Sequence, residues 1–440
     1  MLKTLKNAWR IPELKSKLLF TMLIIVLYRL GANIPVPYVD PAVFEEASAV
    51  ASGTILYYLN LLSGDALGRA TLFALGVSPY ITSSIVMQLL TVALPPLERL
   101  AKQGDEGRKK ITALTRLVTV GLALVTAIGY AMYLNANGFL VAKMTWFSGA
   151  VIVACYCAGA ALVMWLAEKI NESGIGNGIS IILFANIIAG LSGIANSIWV
   201  TVFTKGGFSG FSWVGLIIAI VEIICIIGMV MIIVWMSDAE RRIPVQYAKK
   251  VVGRKMYGGQ NTNLPLKVNM AGVMPIIFAN SIVAIPATIA SFMSTDSWLA
   301  KFINNWFNYN TIPYLVVFFI LLIAFAFFYV AISFNPVEVA NNIKNNGGAI
   351  PGIRVGRPTV VYIKKILNRI TLLGVLILSF IACFPMIVNM IDVMIDPHST
   401  TFAAFAFGGS SMIILVGVAL ETVRELEAQM SLRNYKGFLD

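Results

Sequence analysis

The sequence is short of the residues on which metal sites and enzymes depend. Its one histidine, His398, lies in a connection between apolar segments, so imidazole chemistry inside a membrane is excluded. The four cysteines, Cys155, Cys157, Cys225 and Cys383, all lie within apolar runs. Cys155 and Cys157 point to different faces of one helix and have no other ligand type nearby. The pair therefore predicts packing rather than a metal or redox site.

Charge is scarce as well. Only 12% of the 440 residues are charged and 58% are hydrophobic, whereas soluble domains are about 25% charged. This composition predicts a polytopic membrane protein. The formal net charge of +12 does not indicate nucleic-acid binding, because the lysines and arginines are confined to particular connections between apolar runs.

Motifs for nucleotide chemistry are missing too. The phosphate-binding pattern G-x-x-x-x-G-K-[ST] does not occur, and the stretch GDEGRKK has neither its spacing nor its hydroxyl. No carboxylate pair or nucleophile–base set falls in an obvious pocket. We therefore expect no enzymatic activity and no cofactor, and any transport work must come from a partner.

Long apolar runs dominate what is present. A run of about 20 residues crosses a bilayer. The Lys-rich N-terminus resembles a signal peptide, but the run from Leu18 to Pro35 is long and lacks a small-x-small cleavage site, so we interpret it as a retained first span. Ten spans are predicted, at about 18–36, 75–94, 112–134, 147–169, 179–199, 213–236, 270–292, 312–334, 369–391 and 403–422.

The basic residues predict the orientation of these spans. The N-terminus and the alternate connections carry 28 lysines and arginines, whereas the other five connections carry 4. Under the positive-inside rule this ratio places both termini in the cytoplasm. Two cytoplasmic connections, 237–269 and 335–358, are long as well as basic. Orientation and contact with anionic lipids explain their charge, but their length and the Gly-Pro punctuation of GGAIPGIRVGRP favour shaped docking loops.

The chain also contains an internal repeat. The pattern G-V-x-P-x-I occurs at 76–81 in the second span and at 272–277 in the seventh. A second pattern, G-x-S-x-I followed by Leu or Ile, occurs at 178–183 in the fifth span and is matched by GSSMII at 409–414 in the tenth. These pairings predict equivalent halves of five spans each. Because five is odd, the second half is inverted, and the functional pathway is expected at the interface between the halves.

Large aliphatic residues end the four repeated segments, namely Ile81, Leu183, Ile277 and Ile414. Ile85 and Ile187 follow one turn later on the same faces as Ile81 and Leu183. Ordinary helix packing would explain any one of them. Their symmetric placement instead favours a hydrophobic constriction around the interface axis, which resists water and ions.

The sequence resembles the SecY family of protein-conducting channel subunits. The resemblance covers nearly the whole chain. It is carried by the segments ALGVSPYITSSIVMQLL, ITALTR, GIGNGISIILFANI, YAKKVVGR, LPLKVNMAGVMP, FNPVEVANN and PGIRVGRPT. It implies an all-α polytopic membrane protein with ten transmembrane helices in two inverted five-helix halves and a short plug helix. The implied activity is translocation of unfolded secretory polypeptides across the plasma membrane and lateral release of transmembrane segments into lipid.

The resemblance assigns the plug to residues of about 60–73. Asp65 and Arg69 are expected to face the wetter side, and Gly64 and Gly68 to lower helix stability by up to about 1 kcal/mol each. A packing segment that does not move is the alternative. The residues expected to seat on apolar walls are Leu61, Leu62, Leu67, Leu72 and Phe73.

The resemblance implies roles for other residues as well. The family's pore ring maps onto Ile81, Ile85, Leu183, Ile187, Ile277 and Ile414, the set already found from the repeat. The lateral gate, between spans two and three and spans seven and eight, includes Thr82, Ser83, Gln88 and Asn280. Local bonding within a helix is the alternative for Thr82 and Ser83. Docking of the ATPase SecA or the ribosome is expected at Arg254, Lys255, Arg354 and Arg357.

The expected organisation follows from these assignments. Partners implied by the resemblance are the subunits SecE and SecG, SecA, the ribosome, signal sequences, nascent polypeptides and anionic lipids.

Glu222, inside the sixth span, has no matching family role. The predicted parts are an N-terminal segment at 1–17, a first half at 18–200, a second half at 213–422, docking loops at 237–269 and 335–368, and a tail at 423–440.

Two other classes of protein are compatible with inverted repeats. A secondary transporter for a small solute would be expected to place charged or strongly polar residues at mid-membrane, and here only Glu222 is a clear mid-span acid. A scaffold or insertase without a pore would need no plug.

Overall fold

Helices form most of the protein. The computed structural model describes residues 2–40, 60, 63–141, 144–203, 213–247, 250–252, 255–257, 261–292, 297–307, 311–395 and 408–436. The helices are α1 (Leu2–Trp9), α2 (Pro12–Gly31), α3 (Ser78–Ala93), α4 (Pro95–Ala101), α5 (Asp105–Ala136), α6 (Trp146–Ser173), α7 (Gly178–Phe203), α8 (Trp213–Asp238), α9 (Met274–Phe292), α10 (Trp298–Phe307), α11 (Ile312–Ser333), α12 (Pro336–Asn345), α13 (Arg357–Ile395) and α14 (Gly409–Lys436). The strands are β1 (Glu240–Tyr247), β2 (Lys250–Val252), β3 (Lys255–Tyr257), β4 (Asn261–Lys267) and β5 (Gly348–Ala349).

Each predicted span coincides with a helix, namely α2, α3, α5, α6, α7, α8, α9, α11, α13 and α14. Within the described ranges, 5 helices are long and apolar enough to cross a membrane by length and composition alone. A sixth candidate is α3 together with α4, which are bent by 103°. This bend lies at Pro95 and Pro96, since a proline disfavours the helical conformation of the residue before it. The predicted polytopic helical fold is confirmed, and the count of ten crossings stays a prediction.

The two halves repeat the same packing scheme. In the first half, α2 packs against α6 and α7, and the consecutive spans α3, α5, α6 and α7 pack in order. In the second half, α8 packs against α13 and α14, and α9, α11, α13 and α14 pack in order. The halves meet on two sides, where α9 contacts α3 and α5, and where α7 contacts α8 and α14. This pattern agrees with an internal repeat of five spans.

The repeated sequence motifs adopt matching local structures. Gly76 and Gly272, just before α3 and α9, have φ angles of 54° and 63°, a left-handed conformation that L side chains rarely adopt. Pro79 and Pro275 then occupy the second position of their helices, where the missing N–H costs nothing because it has no intrahelical partner. The glycines and prolines of the repeat are therefore explained by how each helix begins.

The second repeated motif supplies a close approach between neighbouring spans. A Cβ atom on Gly178, the first residue of α7, would lie 1.9 Å from the carbonyl oxygen of Ala167 on α6. A Cβ atom on Gly409, the first residue of α14, would lie 2.0 Å from the carbonyl oxygen of Ile381 on α13. Glycine is thus required at equivalent positions in the fifth and tenth predicted spans.

The two long basic connections form one structure. Strand β1, from the first connection, pairs antiparallel with β4 and also with β5, which comes from the second connection. Ile243 and Val245 alternate with exposed neighbours along β1, as expected for a strand with one buried face. The sequence predicted two separate docking loops and no strands. The core that joins them consists of Ile243, Val245, Leu266, Ala340, Ile343, Ile350 and Ile363.

Candidate functional site

An apolar cavity of about 310 Å³ lies where the two halves meet. Its walls come from α3, α5, α7, α9 and α14, and from the segment 63–77 that precedes α3. Four of the predicted ring residues, Ile81, Leu183, Ile277 and Ile414, line it together, each no more than 5% exposed. The repeat motifs therefore converge on one space, to which each contributes the large aliphatic side chain at its last position.

The other two predicted ring residues lie behind this layer. Ile85 and Ile187 are 1% and 0% exposed and belong to the same core cluster as the first four. They follow Ile81 and Leu183 by one helical turn. In the described part of the chain they are absent from the cavity wall. The structure thus gives four residues at the cavity and two packed one turn away.

The segment that borders the cavity, residues 63–77 (the plug segment), is folded as consecutive turns. The short helix predicted for 60–73 is wrong for 64–73, because Gly64 and Asp65 both have φ of 66° and Ala70 has φ of 46°. One turn at 66–69 is closed by bonds from the Thr71 N–H to the Ala66 carbonyl and from the Ala70 N–H to the Leu67 carbonyl, both 3.1 Å. This is the pattern of a helix C-terminus ended by a left-handed residue.

Polar side chains satisfy the amides at the start of this turn. The Asn60 Oδ1 accepts the Gly68 N–H at 2.6 Å, and the Ser63 Oγ accepts the Leu67 N–H at 3.0 Å. The Asn60 Nδ2 also donates to the Asp65 Oδ1 at 3.1 Å. Because buried amides without partners are costly, these contacts explain why an otherwise apolar stretch contains Asn, Ser and Asp.

Three side chains from the first half bond to carbonyls of the plug segment. The donors lie on α2, α5 and α6, and the accepting carbonyls are spaced three residues apart. The pairs are Arg29 Nη1 to the Gly64 carbonyl at 3.3 Å, Tyr130 Oη to the Leu67 carbonyl at 2.9 Å, and Tyr156 Oη to the Ala70 carbonyl at 3.5 Å. Arg29 also donates to the Ala185 carbonyl on α7.

Contacts made by Leu72 and Phe73 hold the later part of the plug segment against the first half. Phe73 stacks on Tyr28 of α2 with ring centroids 5.4 Å apart. The Leu72 N–H donates to the Ile34 carbonyl at 2.8 Å. A Cβ atom on Gly159 of α6 would lie 1.9 Å from the Leu72 carbonyl oxygen, so the two backbones touch there.

The predicted plug residues divide by exposure. Leu67, Gly68 and Phe73 are buried, Gly64 and Leu72 are partly buried, and Asp65 and Arg69 are exposed. The Arg69 guanidinium donates to the Asn33 Oδ1 at 3.3 Å. Leu61 and Leu62 lie outside the described residues.

Two of the predicted gate residues reach the cavity. Thr82 on α3 and Asn280 on α9 both line it, across the contact between those helices. Asn280 is 5% exposed, and neither polar atom of its amide has a hydrogen-bond partner in the described chain. Ser83 instead donates to the Thr115 carbonyl of α5 at 2.7 Å, and Gln88 donates to Ser84 on its own helix at 3.4 Å. Ser83 and Gln88 thus bond to groups on the same side of the seam in this structure, and their assignment to the gate stays a prediction.

Two of the predicted docking residues, Arg354 and Arg357, lie on the structure formed by the two basic connections. Arg354 and Arg357 are exposed, and Arg357 begins α13. The Thr359 hydroxyl donates to the Arg354 carbonyl at 2.9 Å, which fixes the backbone there. Lys255 begins β3, which pairs with β2 in a hairpin, and Arg254 lies outside the described residues.

Tyr130 and Tyr156 were not predicted from the sequence. They lie in apolar runs and look like ordinary aromatic packing residues. The sequence feature that could have indicated their role is a tyrosine hydroxyl inside an apolar run, because a buried hydroxyl needs a hydrogen-bond partner.

Glu222 was named in the sequence analysis as an acid inside the sixth predicted span. The structure buries it in α8 at 1% exposure, away from the lining of the cavity that the structure describes.

Together these features define a polytopic helical membrane protein whose two equivalent halves enclose an apolar cavity bordered by a folded segment. A family model for SecY matches residues 71–423. The chain is 44% identical over 453 residues to the protein translocase subunit SecY of Streptomyces coelicolor, with 100% of both chains covered. The chain therefore belongs to the SecY family of protein translocase subunits.

Solved structures show the same fold. One is a SecY channel whose plug domain stabilises the closed state of the translocation channel and maintains a membrane seal, with a TM-score of 0.60 at 19% identity and 96% of both chains covered. Another is Sec61 in the canine ribosome–channel complex from the endoplasmic reticulum, with a TM-score of 0.58 at 18% identity and 96% of both chains covered.

Proposed function

We propose that the chain forms a pore for unfolded polypeptides and that the cavity between its halves is the waist of this pore. The observation that carries the proposal is the convergence of Ile81, Leu183, Ile277 and Ile414 on one cavity. Aliphatic side chains make no directional bonds, so they can deform around different passing side chains. When no chain is present, the same ring excludes water and ions.

The plug segment acts as the removable seal of this pore. Its apolar residues border the cavity, while its carbonyls are bonded by Arg29, Tyr130 and Tyr156. Two of its non-glycine residues, Asp65 and Ala70, hold left-handed conformations that cost roughly 1–2 kcal/mol each, which offsets part of the stabilisation from these contacts. A segment held in this way can leave without unfolding the helices around it.

The lateral gate opens where α9 meets α3 and α5. Thr82 and Asn280 lie at this seam beside the cavity. The Asn280 amide lacks a partner among the described residues, and a buried amide without one is costly. A signal sequence that enters the seam, or a backbone group it carries, supplies the missing hydrogen bonds.

The proposal includes the surroundings of the channel. The chain resides in the plasma membrane with both termini in the cytoplasm, as the distribution of Lys and Arg predicts. SecE and SecG complete the channel, and the chain itself has no catalytic activity. SecA or the ribosome supplies the driving force by docking on the basic cytoplasmic structure that carries Arg354 and Arg357, to which anionic lipids also bind.

Photocrosslinking to a stalled secretory chain tests the pore. A photoreactive residue replaces Ile81, Ile277 or Ile414, and the control is Ile320 on α11, which is 58% exposed on the outer surface. Adducts at the first three positions and none at the control are expected. If the stalled chain is inserted yet reaches none of the three, the pore assignment is wrong, and a solute transporter becomes the better interpretation.

A further inference from the structure

Helix α10, between α9 and α11, carries an aromatic stripe on one face. Trp298, Phe302 and Trp306 recur every four residues, so they lie along one side of the helix. Trp298 stacks on Phe302 with centroids 6.0 Å apart, and Phe302 stacks on Trp306 at 5.7 Å. All three are exposed, by 74%, 43% and 52% respectively.

The helix is too short to span a membrane. It has 10 residues, about 15 Å at 1.5 Å per residue, against a hydrocarbon thickness of about 30 Å. Its one charged residue is Lys301. An exposed aromatic face on a short amphipathic helix is typical of a segment that lies in the plane of the membrane interface.

Exposed apolar surface continues from α10 onto the next helix. The helix packs against α9 and α11. The start of α11 exposes Ile312 and Val316, which are not part of the cavity lining that the structure describes, whereas the exposed Ile285 and Ile289 of α9 line the cavity. The α11 surface belongs to a predicted span and faces lipid in a polytopic membrane protein. The stripe on α10 is therefore continuous with a lipid-facing surface on α11.

We propose that α10 is an interfacial anchor whose Trp298–Phe302–Trp306 stripe binds the lipid headgroup region of the non-cytoplasmic leaflet. Tryptophan favours this region because its ring is apolar while its N–H needs a polar partner. The distribution of Lys and Arg places the 292–312 connection on the non-cytoplasmic side. Because α10 directly follows α9, the anchor fixes the outer end of the helix that meets α3 and α5.

Spin labelling in lipid bilayers tests the anchor. The full chain, assembled with its partner subunits, has its four cysteines replaced by alanine. It then receives a nitroxide at F302C in the stripe or, as a matched control, at K301C on the neighbouring exposed position. Collision with oxygen, which concentrates in lipid, is compared with collision with a water-soluble nickel complex.

The expected result is a positive depth parameter at 302, where oxygen dominates, and a negative one at 301. Nickel access at 302 equal to that at 301 would place the stripe in water and overturn the proposal. If neither reagent reaches 302, a protein partner covers the stripe, and the proposal is again wrong.

A second measurement needs no cysteine changes. Lipids brominated near the headgroup quench tryptophan fluorescence at shallow depth. Compared with the unmodified protein, a W298F/W306F variant should lose a measurable part of the quenched signal. An unchanged quenched signal would show that these two side chains do not contact the interface.

Discussion

The hydrogen bond from Tyr130 to the plug segment offers the sharpest test of how the channel stays sealed. Tyr130→Phe removes only the hydroxyl that donates to the Leu67 carbonyl at 2.9 Å, in a site where Tyr130 is 3% exposed. The carbonyl keeps its second bond, from the Ala70 N–H at 3.1 Å. The expected cost to the closed state is therefore that of one ordinary hydrogen bond, about 1 kcal/mol. The displaced segment does not carry this cost, since its carbonyl then meets water, so the open fraction should rise about fivefold.

Ion efflux from vesicles that contain the resting channel complex measures this change. The matched control is Tyr133→Phe, because Tyr133 stacks on Tyr130 at 6.3 Å but is not among the side chains that bond to the plug segment in the described chain. Tyr130→Phe should leak about fivefold faster per channel than the wild type, and Tyr133→Phe should not. Equal leak from Tyr130→Phe and the wild type would refute the role of this bond. If both variants leak equally fast, the increase comes from a general loss of packing around the tyrosines and not from the hydrogen bond to Leu67.

Three further changes test other parts of the site. Deleting residues 60–73 should raise resting conductance, and unchanged conductance would count against the plug assignment. Gly159→Ala should lower thermal stability by about 1–3 kcal/mol and increase leak, because the new Cβ atom would lie 1.9 Å from a plug carbonyl. Its control, Gly121→Ala, meets nothing within 4 Å, and equal stability of the two would contradict this account. Arg354→Glu should impair SecA-driven export at normal expression level, whereas the control Lys110→Glu, at an exposed position outside both docking loops, should not; normal export by Arg354→Glu would remove the docking role.

The helical organisation was predictable because lipid imposes a strong constraint on sequence. A spanning segment must bond its own backbone and be apolar over its length, and both requirements are visible in single runs. The repeat was visible for a related reason. Gly76 and Gly272 each adopt a left-handed φ before a helix that carries proline in its first turn, and few residue types satisfy such backbone requirements.

The contacts that hold the plug segment were not predictable in the same way. Tyr130 and Tyr156 are distant from residues 64–70 in the chain, and nothing local indicates where their hydroxyls point. The plug helix was predicted from a family resemblance. The left-handed φ of Ala70 ended it, although alanine is the strongest helix former. Long-range contacts decided that conformation, and local preference did not.

The sheet of β1, β4 and β5 was not predicted from the sequence, also because it depends on long-range contacts. Strand β5 contains only Gly348 and Ala349, and its place beside β1 depends on pairing with Gln246 and Tyr247 about a hundred residues earlier. Two residues carry no periodic signal of their own. Charge and length in the two connections led to the docking hypothesis, which stays a prediction, and neither property indicates that the two connections are joined.

The division of contacts between the halves has a kinetic consequence. The helices whose side chains bond to plug carbonyls in the described chain are α2, α5 and α6 of the first half, and the Val36 N–H that bonds to the Ala70 carbonyl also belongs to this half. The sheet of β1, β4 and β5 instead connects segments of the second half alone. We therefore predict that a partner that pulls on the sheet displaces the second half without straining those bonds. Opening should then cross two separate barriers, with a short-lived intermediate that is parted toward lipid while still impermeable to ions.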